Sequence, residues 1–146
     1  MKQFVLGAGL ATAAAAVGIW LLLPVAAPVA GDSGAVAIGQ KVYAANCASC
    51  HGANLEGQPN WREPLSNGRF PAPPHDASGH TWHHPDAQLL AIIRQGTSKI
   101  VGNGYQSDMP GFADILSEAE MRAVLDYIKS TWPERAAQYQ RQVSGN

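Results

Sequence analysis

Apolar residues fill positions 4–23 almost without interruption after a single Lys2, and Pro24 and Pro28 break the run before polar chain begins at Gly31-Asp32-Ser33-Gly34. Beyond that point the apolar side chains recur at helical spacing. Starting from Ser33, a residue type that caps helices, Val36, Gly39, Val42 and Tyr43 fall on one side of a predicted helix running into Cys47. Pro85-Asp86 opens a second predicted helix through Arg94, with Leu89, Leu90, Ile92 and Ile93 inside and Gly96 as its stop. The clearest element is the last: Ser117-Glu118-Ala119-Glu120 is a capping box, and Met121, Val124, Leu125, Ile128 and Trp132 follow at helical spacing until Pro133. Residues 54–81, rich in Gly, Pro, Asn and Asp, are predicted to be irregular. So long a structureless segment in a small domain is usually functional or packed on a ligand. No internal repeat and no alternating strand pattern stands out, so the expected class is all-α.

Length then divides the chain. Of its 146 residues, residues 1–30 read as a signal-anchor or signal peptide, 33–133 as one small helical domain, and 134–146 as a polar tail, expected to be a frayed helix or disordered end. The apolar run of about 20 residues is long enough to span a bilayer. A cleaved signal usually has a shorter apolar region and a small-residue site, which Pro28 spoils for cuts after Ala27 or Ala30. An uncleaved N-terminal anchor is therefore favoured, with soluble periplasmic protein after cleavage as the alternative. Lys2 stays on the cytoplasmic side and the domain lies outside.

Charge removes one class of function. The formal net charge is −1, and nucleic acid would call for a clustered basic face. A domain of this size has only a marginal core of its own, so a large apolar cofactor would give its short helices something to pack around.

Cys47-Ala48-Ser49-Cys50-His51 supplies that cofactor. Cys-x-x-Cys-His is the attachment signature for c-type haem: two thiols form thioethers to the haem vinyl groups, and the adjacent imidazole reaches the iron. The sequence contains two cysteines, and the motif uses both. A disulfide has no need of the following His, a zinc ribbon would want a second Cys pair, and a thioredoxin-like site would want a strand before the motif. The expected cofactor is one covalent haem c, with His51 binding iron through one ring nitrogen while the other is tied by a hydrogen bond.

The region from Ser33 to Trp132 resembles a class I, monohaem c-type cytochrome. In that family a first helix leads into Cys-x-x-Cys-His and the last helix crosses it. Gly39, Tyr43 and Tyr127 here resemble that crossing, and a glycine permits close approach of two helix backbones. The resemblance implies a second iron ligand in a loop before the last helix, where Met109-Pro110-Gly111-Phe112 matches the family's ligand loop. It also implies that a proline carbonyl in the loop after the motif accepts the bond from His51. Pro64 is the candidate, with Pro59 also near. A thioether ligand from Met109 would favour ferrous iron and raise the potential relative to a second imidazole. The site predicted on these grounds is Cys47, Cys50, His51 and Met109, with His51 and Met109 on the metal.

Saturated ligation of this kind suits one-electron carriage between oxidase-, reductase- or dehydrogenase-type partners outside the cytoplasmic membrane, not enzymatic turnover. Two other readings stand beside it. One is a haem sensor or enzyme with a labile Met109. The other is a copper-handling accessory built on His75, His80, His83 and His84, whose clustering departs from the family pattern. For those histidines and Trp82, packing or hydrogen bonding at the haem edge is favoured over a second metal, and that over iron ligation.

Overall fold

The computed structural model describes residues 33–145 and is helical, with no strand among the described residues. The apolar segment within residues 1–30, expected as an anchor, lies outside them. Helix α1 spans Ser33–Asn46, and the chain passes through Cys47 into a single further turn, α2, Ala48–His51. An irregular stretch then leads to a 3-10 turn at Thr81–His83, followed by α3 (Asp86–Gln95), α4 (Thr97–Val101), α5 (Glu118–Ser130) and α6 (Glu134–Ser144). No helix among the described residues is long and apolar enough to cross a membrane.

The central packing event is α1 against α5. A Cβ on Gly39 would lie 1.9 Å from the Ala123 carbonyl oxygen and 2.9 Å from Tyr127 Cβ, so the crossing admits no side chain there. Tyr43 and Tyr127 meet beside it, with ring centroids 5.5 Å apart. Helix α5 begins where the sequence indicates. The Glu120 amide donates to Ser117 Oγ at 3.3 Å and the Ser117 amide donates to Glu120 Oε2 at 2.9 Å, which satisfies two otherwise orphaned donors. Tyr43, Leu55, Leu90, Phe112, Val124 and Ile128 are among the side chains of one continuous core between these helices and α3.

Two elements differ from expectation. Trp132 lies just beyond the end of α5, yet it is buried and its indole Nε1 donates to the His75 carbonyl at 2.7 Å. The polar tail is neither frayed nor disordered: it forms α6, which packs on the 3-10 turn. Its anchor is a polar side chain, Gln140, which is 0% exposed and donates to Ser144 Oγ at 2.8 Å and to Asp86. Asp86 also receives Lys129 Nζ at 2.7 Å, so one carboxylate joins α3, α5 and α6. Those bonds replace the water of the amide nitrogen, while Gln140 Oε1 is buried without a partner.

Candidate functional site

The haem motif sits where α1 gives way to α2. The His51 amide donates to the Cys47 carbonyl at 2.9 Å, which winds the two cysteines and the histidine into one turn. The Tyr43 hydroxyl reaches back from α1 to the Gly52 carbonyl at 2.8 Å and fixes the exit of that turn. Both cysteines are free thiols, Cys47 half-buried and Cys50 exposed. Burial, with Cys50 adding to it, pushes the Cys47 thiol up to about 11.

His51 is 6% exposed, and its Nδ1 lies 2.8 Å from the carbonyl oxygen of Pro73. The expected acceptor, Pro64, is wrong, and so is Pro59. Pro64 stands exposed beside an outward turn in which the Leu65 amide donates to the Arg69 carbonyl at 2.8 Å. The chain then returns: the Gln58 amide donates to the Ala72 carbonyl at 2.9 Å, and the His75 amide donates to the Leu55 carbonyl at 2.8 Å. Gly57 lets the two passes touch, since a Cβ there would lie 2.5 Å from the Pro74 nitrogen. That close approach delivers the Pro73 carbonyl to the imidazole. Burial lowers the His51 pKa, partly opposed by the Pro73 bond. The ring is thus held neutral, Nδ1 is committed to Pro73, and Nε2 is left as the nitrogen suited to a metal.

Met109 is half-buried and packs against the same core cluster as Cys47. Its loop is pressed on the end of α3. The Phe112 amide donates to the Ile93 carbonyl at 2.9 Å, and Cβ atoms on Gly96 or Gly111 would come within 2.9 Å and 2.7 Å of facing backbone. Arg94 Nε donates to Glu118 Oε1 at 2.8 Å, tying the end of α3 to the start of α5 on either side of this loop. The Thr97 hydroxyl at the start of α4 lies 3.4 Å from Met109 Sδ and donates to it. Arg69, from the loop after the haem motif, pairs with Asp108 beside the methionine.

The four clustered histidines fall into two groups: His75 lies on the His51 ring, while His80, His83 and His84 surround the 3-10 turn, where His80 and His84 meet edge-on with centroids 5.4 Å apart. His75 is half-buried, lies face to face with His51, and has Nδ1 2.8 Å from Thr81 Oγ1. Enclosure by protein, then the nearby His51 and His80, lowers its pKa well below the ordinary histidine value. His80 stacks on Trp61, and His83 meets Trp82 edge-on. Among the described residues, no group of three or more His, Cys, Asp or Glu side chains is placed to hold a metal ion. Sequence reasoning missed Pro73 and Thr97, and it singled out His75 without its stack on His51. The run Pro71-Ala72-Pro73-Pro74 was the available signal for the first, but sequence alone does not say which carbonyl turns inward.

An all-helical domain that crosses its first and last long helices beside one Cys-x-x-Cys-His turn defines a monohaem c-type architecture. Residues 36–132 match the cytochrome c family, and the chain belongs to it, as a monohaem c-type cytochrome carrying covalently bound haem c. It is similar to a cbb3-type cytochrome c oxidase subunit FixP from Azorhizobium caulinodans, 31% identical over 95 residues that cover 63% of this chain and 28% of that relative. The chain therefore matches little more than a quarter of the relative's length. No solved structure matches it. The residues present fit the cofactor: two reduced thiols, a neutral imidazole with one nitrogen uncommitted, and a thioether on the same core.

Proposed function

We propose that this cytochrome is a one-electron carrier in which Cys47 and Cys50 hold the haem and His51 and Met109 are the axial ligands. The observation that carries the reading is the pairing of two pre-set donors. Pro73 fixes the tautomer of His51, and Thr97 and the Gly96–Gly111 contact fix Met109, with both Met109 and the motif against one core. When bound, the haem supplies the redox step, one electron at a time between ferric and ferrous iron. The chain's part is to keep both donors in place in either oxidation state, so that little rearranges on transfer. Burial of His51 and of the core around it restricts water, and the Pro73 bond keeps Nδ1 from competing for metal.

The domain, residues 33–133 with α6 docked on it, acts on the extracytoplasmic side of the membrane, with residues 1–30 as its anchor. Its partners are membrane-bound redox enzymes, and the resemblance to an oxidase subunit supports a terminal oxidase as one of them. Tethering would raise effective concentration at such a partner.

Met109→Ala tests the ligation. Covalent haem should remain, while the potential falls, carbon monoxide gains access to reduced iron, and the weak near-infrared sulfur-to-iron band of the ferric protein disappears. If band and potential stay as in the parent, the second ligand is another residue. Fractionation tests the anchor: holoprotein should follow membranes, released by detergent and not by salt.

A further inference from the structure

A hydrogen bond from one ring nitrogen fixes an imidazole's tautomer and restrains its plane, but a carbonyl accepts over a broad range of directions, so that bond alone holds the plane only loosely. His51 makes such a bond to Pro73, and a flat neighbour on its face supplies what that bond does not. The His75 ring lies on His51 with centroids 4.0 Å apart and planes inclined by 23°. His75 is itself held at three points. Its amide donates to the Leu55 carbonyl at 2.8 Å, its carbonyl receives Trp132 Nε1 at 2.7 Å, and its Nδ1 pairs with Thr81 Oγ1 at 2.8 Å. Thr81 is buried and sits on the 3-10 turn that α6 covers. The stacked face is therefore anchored to the segment just after α5 through Trp132 and to the 3-10 turn through Thr81.

We propose that His75 is a positioning residue that sets the plane of the His51 ring, with Thr81 locking His75 in turn. This rests on His51 being an iron ligand. The face-to-face stack places His75 against His51, so it acts through that ring and does not replace Met109. A planar ring is required for the task, because a branched aliphatic side chain would fill the volume without defining a plane.

The test uses full-length ferric holoprotein and its paramagnetically shifted haem methyl resonances, which report the orientation of the axial imidazole plane. His75→Leu should reorder those resonances, His75→Phe should largely restore the parental pattern, and Thr81→Val should shift it in the same direction as His75→Leu by a smaller amount. The near-infrared sulfur-to-iron band should persist throughout, separating ring rotation from loss of Met109. An unchanged methyl pattern in His75→Leu overturns the proposal, as does a reordering that His75→Phe fails to reverse. If His75→Leu does not fold, Thr81→Val decides alone, and an unchanged pattern there also overturns it. A parent protein lacking low-spin histidine ligation would instead refute the ligand assignment beneath it.

Discussion

The two sides of the site are built by different means. On the histidine side, the loop after the motif doubles back on itself, and hydrogen bonds, a close glycine contact and stacked rings converge on His51, which is 6% exposed. On the methionine side Met109 is half-buried, and its loop is held by backbone pressed against the end of α3, the Thr97 and Ser107 hydroxyls, and two exposed ion pairs, Arg69–Asp108 and Arg94–Glu118. The comparison teaches that the attachment side is over-determined, whereas the thioether side is held by contacts that can each be removed. Ligand lability and tuning of the potential should therefore reside on the Met109 side.

Breaking the stronger side should cost most. Gly57 has φ of 69°, and a Cβ there would meet the Pro74 nitrogen at 2.5 Å. Gly57→Val should destabilise the ferric holoprotein by roughly 3 kcal/mol or more, from left-handed backbone strain and overpacking together. Denaturant unfolding would measure it, and a loss below about 1 kcal/mol would remove the doubled-back loop as the main support of His51. Next in size is Gly111→Ala, whose Cβ would lie 2.7 Å from the Arg94 carbonyl oxygen. Overpacking of about 1–3 kcal/mol should displace the Met109 loop. Carbon monoxide binding should accelerate and the near-infrared band weaken, with covalent haem intact.

Thr97→Val sharpens the contrast without moving backbone. Loss of the hydroxyl that polarises Met109 Sδ strengthens sulfur donation to ferric iron, so the potential should fall by an amount equivalent to about 1 kcal/mol or less. Voltammetry that finds a rise would show that the hydroxyl does not act on the ligand. The smallest effect belongs to Arg69→Ala. Its ion pair with Asp108 is solvent-exposed, so the stability change should stay under about 1 kcal/mol and vanish in high salt. A larger loss, insensitive to salt, would make the two loops one cooperative unit.

What the sequence revealed follows from how local each signal is. The α1–α5 crossing was legible because Gly39 and the Ser117–Glu120 box each report on their own helix. The haem motif was legible for the same reason, whereas the Met109 loop was singled out by its resemblance to the family's ligand loop. Pro73 was not, because its carbonyl turns inward only through pairings between Leu55, Gln58, Ala72 and His75, which sequence spacing does not contain. The short α4 lies between two glycines and buries no residue, so it leaves no apolar pattern. Helix α6 escaped notice because its fully buried anchor is a glutamine, and apolar periodicity cannot report a position filled by a hydrogen-bonding side chain.

The Gly39 crossing also bears on the order of events in maturation. Ala123 and Tyr127 lie far along the chain from Gly39, and contacts of such separation form late compared with a single helix. Helix α1 and the turn after it can form from local interactions alone, before α5 has settled on them. In that interval the Cys47 and Cys50 thiols lie at the end of a largely uncovered helix, open to an attachment apparatus. Closure of the crossing joins segments distant in sequence, so the close contact that defines the fold belongs among the late steps of its folding.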